Sequence, residues 1–509
     1  MKKTLFGMIY MSSYKIQLNI VDLRDLTIIE KLDSPSFLQA NSKSQVFEQD
    51  MDKICDAIEG FKEKLAEYQI ENFKFYGNEQ LIDEMSASFI ADQIKVRTGL
   101  KIVWLNGGQI VYAKVLCGLK SLEVINQEDS TSESTYLLSL GSAMINLSLF
   151  KKHKFVSSWS LPLGPREIQE IAEITNETPN NPIDVINDYL RARIGHLARQ
   201  LKENPSSSII IQHADALNNA YLKQSNSANK ITHKQFDDFY NQLIEMPLND
   251  VMQTYHLEPA VAEHTIPNAI SIKQFISLLH SKNIYITDMS VVTGLLMQEK
   301  GKKPNYDRDI VMTSAQNMAS RYLVDMHHVI AVRKFALHIF DRLRNVHLLS
   351  KRSRKLLELA ATVDGIGSFV NQLSRYEQSA EILDANKLIG LSDRDNEVVS
   401  EICRYQTIDD DHSAPNIGGH HYRHLAADIQ LEVAKLSAIL RIATALDASH
   451  RQKIKKIVLS LTKENVLVVR AKTNADITIE RWSFKKRVKL FEDVFGIKVI
   501  LKQEGMNRQ

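Results

Sequence analysis

Hydrophobic and polar positions change period several times along the 509 residues, and each change marks an element. From Ile16 to Val21 the two alternate, which predicts a first β-strand within "MKKTLFGMIYMSSYKIQLNIVDL". The stretch "QDMDKICDAIEGFKEKLAEYQ" shifts to helical spacing, with Ile54, Ile58, Phe61 and Leu65 on one face. "NFKFYGN" reads as a short strand. "EQLIDEMSASFIADQIKVRTG" reads as a helix that stops at Gly99 after a basic last turn, and "LKIVWLNG" as a strand again. This rhythm predicts an α/β domain.

The polar run "NQEDSTSEST", Asn126 to Thr135, predicts a linker. After it, "YLLSLGSAMINLSLF" (Tyr136 to Phe150) alternates on both sides of Gly141, like two strands joined by a tight turn. A helix over "NPIDVINDYLRARIGHLARQLKE" and a buried strand feeding a helix in "SSSIIIQHADAL" complete a second α/β unit. From about Met312 the spacing is helical, as in "HHVIAVRKFALHIFDRLRNV" and "HLAADIQLEVAKLSAILRIATALDAS". From Lys453 strands return, with "RWSFKKRVKLFEDVFG" as a final helix. The expected domains are 1–125 and 126–305 (α/β), 306–450 (all-α) and 451–509 (small α+β).

Composition narrows the function classes. A hydrophobic share of 44% with 24% charged residues suits packed globular cores. The net charge of +2 gives no overall field for nucleic acid or a membrane surface. Cys55, Cys117 and Cys403 have no metal-ligand spacing and read as buried thiols in a reducing compartment. No apolar run approaches the ~20 residues of a membrane span. Lys15, Gln17 and Asp22 interrupt the apolar patch near the start, so it reads as a strand, not a signal peptide, and the expected location is cytoplasmic. The basic tracts "KHKF" and "HRQKIKK" (His450 to Lys456) read as solvated faces.

Several stretches together resemble the Ppx/GppA family of exopolyphosphatases and guanosine pentaphosphate phosphohydrolases. They are "ADQIKVRTGLKIVWLNGG", "SWSLPLGPREI", "HHVIAVRKFALHIFDRL", "LLELAATVDGIGSF", "SAEILDANKLIGLSDRDNEVVSEICRYQ", "LRIATALDASH" and "FEDVFGIKVIL", in the family's order. The resemblance implies two actin- and hexokinase-like (ribonuclease H-like) α/β domains, an HD-like helical domain and a small tail domain. It further implies a phosphoanhydride substrate between the first two domains, held by glycine-rich turns. In active members acidic groups hold magnesium and a glutamate activates water, the charge neutralisation and alignment that phosphoryl transfer needs.

At the positions where the resemblance implies those groups, this chain differs. In the first turn, "YMSSYK", Tyr10 stands for the acid and Ser12 for the glycine, while Ser13 keeps its hydroxyl and Lys15 replaces a serine. In the second, "SLGSAMIN", Gly141 remains but Ser142 and Ala143 replace glycines, Met144 replaces the serine, and Ser139 and Asn146 replace the acids. Side chains at Ser142 and Ala143 would restrict a positive-φ turn. In "NGGQIV", Gln109 and Ile110 occupy the two glutamate positions; Gln109 could orient a water but not take its proton. Gln80 falls near an expected arginine, and "QHADAL" replaces a Gly-Gly-Thr turn, so His213 and Asp215 are read as closing the pocket and not as catalytic. Candidate ligand positions are therefore Ser13, Lys15, Ser139, Gly141, Ser142 and Asn146, with Gln109 and Asn146 degenerate catalytic positions.

An HD metal site would need a first His, a His-Asp pair and a later Asp. Here they are His328, Asp364 with Gly365, and Thr444, with Asp447 one turn away; Gln406 replaces another family histidine. That is too few ligands for a hydrolytic centre. In "DDDHSAPNIGGHHYRHLAAD", His420 and His424 would share a face if a helix starts there, but Asp409 to Asp411 and His412 lie in a Pro/Gly-rich loop that reads as solvated. The expectation is a Ppx/GppA-type homologue with lost or weak hydrolysis. Polyphosphate or a guanosine polyphosphate would be its ligand, and a second copy or an active paralogue its partner. No cofactor is expected beyond magnesium if activity remains. The alternatives are an active phosphohydrolase and an interaction protein with no anion site.

Overall fold

The computed structural model describes residues 4–12, 15–36, 48–78, 84–125, 134–141, 143–175, 182–203, 205, 208–222, 228–300, 307–407 and 417–505. Met1–Ile310 and Val311–Gln509 form separate compact units.

The first unit holds two sheets. Strands β1 (Leu5–Met11), β2 (Lys15–Asp22), β3 (Thr27–Pro35), β4 (Phe73–Asn78) and β5 (Val103–Leu105) lie in the order β3-β2-β1-β4-β5. The first three are antiparallel; β4 and β5 join in parallel. The single first strand expected from the sequence is thus two, because the apolar patch Leu5–Met11 is itself a central strand. Both faces of this pair are covered. Ile9, Met11, Ile16, Leu18 and Ile20 pack under α1 (Glu48–Glu67) and α2 (Glu84–Thr98). Phe6, Met8, Tyr10 and Val21 form a second layer on the other face. Burial on both faces explains why the polar Gln17 and Asn19 are buried as well. α2 stops as expected at Gly99, which takes φ +74 and donates its N–H to Lys95 O.

The second sheet comprises β6 (Ser134–Leu140), β7 (Ile145–Lys151), β8 (Lys154–Leu161), β9 (Ser208–Gln212), β10 (Ala228–Ile231) and β11 (Asn283–Thr287), ordered β10-β11-β9-β6-β7-β8. Apart from the antiparallel edge strand β10, it repeats the first sheet: three antiparallel strands, then two parallel ones in the order 3-2-1-4-5. This repeated order is that of the ribonuclease H-like, actin/hexokinase-like halves expected. Tyr136, Leu138, Leu140, Leu147 and Leu149 face a core closed by helices that include Pro182–Ile194 and Thr265–Leu279. Ser134 and Thr135, assigned to a linker from the sequence, belong to β6; residues 126–133 lie outside the described residues.

Between the sheets run two helices, α3 (Gly107–Ile125) and α4 (Val291–Glu299). α3 is buried nearly all round, so it has no polar face to set a period. Gly118 lets it seat on the second sheet, where a Cβ would lie 2.8 Å from Phe150 Cζ and 2.9 Å from Leu137 Cδ2. α4 lies over the first sheet through Val291, Val292, Leu295 and Leu296. The two helices touch at Gly294, where a Cβ would lie 2.7 Å from Ala113 C and 2.8 Å from Ala113 Cα.

The second unit is helical, as expected, with α5 (Met326–Arg342), α6 (Lys351–Val363), α7 (Asp393–Arg404) and α8 (Ala427–Ala445) at its centre. Ile339, Leu357, Ile402, Leu436 and Ile439 are wholly buried there. A sheet of β12 (Lys456–Leu461), β13 (Val466–Lys472) and β14 (Lys498–Glu504) follows. The single final helix expected is two, Thr478–Lys485 and Val488–Phe495, because Arg487 leaves helical backbone at φ −132°. No helix among the described residues is long and apolar enough to cross a membrane.

Candidate functional site

A cavity of about 400 Å³ opens between the two sheets of the first unit. It is lined from the first sheet by Tyr10, Ser12, Lys15, Gln17, Asn19 and Lys31, and from α3 by Ile110 and Lys114. The β6–β7 turn adds Gly141, Ala143 and Met144, and the β9 turn adds His213 and Asp215. Of the candidate ligand positions, Lys15 and Gly141 line it, while Ser139, Asn146 and the degenerate catalytic position Gln109 do not. Ser13 and Ser142, both candidate ligand positions, lie outside the described residues, as do Gln80, Asp409 to Asp411 and His412.

In the first turn, Ser12 folds back on its own hairpin. Its Oγ donates to Lys15 O (3.0 Å) and accepts from Lys15 N (3.2 Å). Lys15 Nζ sits 3.0 Å from Asp33 Oδ2, and Lys31 Nζ lies 3.5 Å from the same oxygen, so one carboxylate serves two half-exposed lysines. Tyr10 is buried, and burial pushes its phenol well above the usual range. Its ring packs in an apolar layer, where it contributes volume and not charge.

In the second turn, Leu140 pairs with Ile145 and Ser139 with Asn146, and Gly141 N donates to Met144 O at 3.0 Å. Gly141 does not take a left-handed φ. Its lack of a side chain matters for another reason: a Cβ would lie 2.8 Å from Met144 O and 3.5 Å from Lys114 Nζ. Asn146 is buried, accepts from Lys114 Nζ at 2.7 Å and donates to Ser160 Oγ at 2.8 Å. Ser139 Oγ is buried opposite it and makes no hydrogen bond.

Gln109 does not reach into the cavity to hold a water. Its Oε1 accepts from Asn106 N (3.2 Å), while Asn106 Oδ1 accepts from Gln109 N (2.9 Å). This is a reciprocal cap on the start of α3, satisfying two backbone donors that a helix end leaves open. Asn106→Ala is accordingly expected to lower stability by about 1 kcal/mol, read as a lower urea midpoint; an unchanged midpoint would show that the cap contributes nothing.

Lys114 escaped sequence reasoning. It is a lone cation in the apolar run "IVYAKVLCGL", 5% exposed, on the α3 face turned to the cavity. Among the described residues it makes no ion pair, and burial pushes its ammonium down to about 8 against a weak upward pull from Cys117. His213, half-buried at φ +63, is pushed down to about 3 by burial and then by Lys114 and Lys15, so its imidazole is neutral. Asp215 lines the cavity as an exposed residue, with Lys15 and Lys31 on the same lining. These residues do not fit a magnesium ion. The β6–β7 turn that would hold it carries an amide and an unpaired hydroxyl where a hard dication prefers carboxylates, and the Lys114 ammonium from α3 is bonded to that amide; the cavity's carboxylates, Asp215 and Asp288, stand on other turns.

In the second unit, His328 Nδ1 lies 2.9 Å from Asp447 Oδ2, and His450 stacks on the His328 ring at 3.7 Å. Asp364 is buried and pushed up to about 6, chiefly by burial, against the pull of His328, Arg375 and Arg487. Thr444 Oγ1 is buried without a partner. The His328 and Asp447 atoms thus satisfy each other, and no group of three or more His, Cys, Asp or Glu among the described residues could hold a metal. His420 and His424 do share a short helix, with rings 4.3 Å apart, but His424 Nδ1 is bonded to His420 O. Cys55, Cys117 and Cys403 are all buried free thiols, as expected.

Residues 310–490 match the family model for Ppx/GppA phosphatase, domain III. No match is found among curated protein sequences. Among solved structures, a Ppx/GppA family member from Aquifex aeolicus is 16% identical, with 58% of this chain and 98% of that one covered and a TM-score of 0.47. An exopolyphosphatase from Cytophaga hutchinsonii is 13% identical, with 58% and 98% covered and a TM-score of 0.48. Residues 310–490 are thus similar to domain III of the Ppx/GppA phosphatases.

Proposed function

We propose that the whole chain is a Ppx/GppA-type homologue that holds a phosphate chain or guanosine polyphosphate in its cleft without cutting it at enzymatic rates. It then acts as a binding or regulatory partner, as a homodimer or beside an active paralogue. The HD-like region is, on this reading, a retained scaffold. One observation carries the proposal: the two amides at the expected acid positions are both engaged by protein. Gln109 caps a helix and Asn146 receives Lys114. Neither can accept a proton from water at neutral pH. A fold retained while its chemical groups are exchanged is the usual course when function resides in the site and not in the scaffold.

Purified protein is expected to release no phosphate above background from polyphosphate or guanosine pentaphosphate, with magnesium or manganese present. Turnover near 1 s⁻¹ or faster, within the ordinary range of about 1–10³ s⁻¹, and reduced by Asn146→Ala, would sink the proposal in favour of an active phosphohydrolase.

A further inference from the structure

Resting on that reading of the cleft, we propose that the Lys114 ammonium anchors the terminal phosphoryl group of a phosphate chain, so that the anion binds here without a divalent cation. Lys114 lines the cavity, is 5% exposed and has three N–H donors, of which Asn146 Oδ1 takes one. The missing side chain at Gly141 leaves space beside Nζ. A buried ammonium without a counter-ion is expensive, and an arriving anion supplies that counter-ion inside a low-dielectric cleft.

Three lysines and three carboxylates stand around the cavity, so preference for an anion rests on place: Lys114 is the buried charge and makes no ion pair among the described residues. Cys117 on α3 is a thiol that burial pushes up to about 12, and His213 is neutral. Lys15 and Lys31 stand at the rim with one carboxylate, Asp33, between them. Asp215 and Asp288 also line the cavity, and they set the limit on how much negative charge enters. A magnesium ion next to Lys114 would instead meet like charge.

The test is calorimetric titration with excess EDTA, using inorganic tripolyphosphate in one arm and guanosine tetraphosphate in the other. Binding to both locates recognition in the phosphates; binding to the second alone shows that the nucleoside adds necessary contacts, and in either case the loss in Lys114→Met carries the Lys114 assignment. Lys114→Met is expected to weaken either ligand roughly ten- to hundredfold, the scale of a lost charged hydrogen bond. Wild-type affinity should be flat only from about pH 7, above the second ionisation of a terminal phosphate at about 6, to about pH 8, and fall as pH rises beyond it, since the anion requires the ammonium form. This measurement needs no variant. Binding that demands magnesium, or that survives unchanged in Lys114→Met, overturns the Lys114 assignment and leaves the binding function standing. No binding of either ligand, with or without magnesium, overturns the binding function itself and this inference with it.

Discussion

Gly294→Val is expected to destabilise the first unit by on the order of 3 kcal/mol, at or beyond the upper end of ordinary overpacking. The reason is the identity of the atoms in the way. A Cβ at Gly294 would lie 2.7 Å from Ala113 C and 2.8 Å from Ala113 Cα. Both are backbone atoms in the middle of α3, so no side-chain rotation relieves the clash. α4 would have to lift from α3, and Val291, Val292, Leu295 and Leu296 would lift with it from Phe6, Met8 and Tyr10. The same movement would widen the cavity, which both helices line. A large fall in the urea midpoint, together with faster hydrogen exchange in α3, is the expected result. Gly60→Ala, where no atom lies within 4 Å of the added Cβ, should leave both readouts nearly unchanged or slightly improved. Equal effects at the two positions would show that the helix contact is not tight.

That contact also marks the limit of what the sequence discloses. Alternation at Ile16–Val21 and Tyr136–Phe150, and helical spacing at Ile54, Ile58, Phe61 and Leu65, were readable because one period dominates each. α3 was not, since thirteen of its residues are buried and its hydrophobicity runs all round. The break between the last two helices was hidden as well, because Arg487 is an ordinary helical residue type and only its backbone departs. In the site, the loss of acids at Ser139, Asn146 and Gln109 was legible through the family resemblance. The capping role of Gln109 had a signal that went unread: Asn106 followed three residues later by a glutamine ahead of an apolar run. Lys114 had none of comparable strength. A lysine inside an apolar helix gains meaning only when the fold turns it toward a cavity instead of water.

Lys114→Met is expected to make the ligand-free protein modestly more stable at pH 7: roughly 3 kcal/mol of dehydration penalty is relieved, and about 1–3 kcal/mol of it is offset by leaving the buried Asn146 Oδ1 without its donor. The lysine is wholly buried, and burial lowers its folded value from 10.5 to about 8. Each pH unit between the two is worth about 1.36 kcal/mol, and methionine fills a similar volume with no charge to dehydrate. The sign follows from proton binding. Below about pH 8 the lysine is charged in both the folded and unfolded chain, so the full penalty applies. Between about 8 and 10.5 the unfolded chain binds the proton and the folded chain does not, so wild-type stability gains as pH rises. Above that range both forms are neutral and the penalty is gone. Urea unfolding of wild type and Lys114→Met from pH 7 to pH 10 should therefore show wild type gaining stability on the variant as pH rises above about 8. Parallel curves would mean that Lys114 is already neutral or already compensated in the folded chain. A wild-type curve that starts below the variant's at pH 7 and gains on it with pH would show a protein less stable with its natural residue than without it, as expected where a buried cation is kept for a ligand and not for the fold.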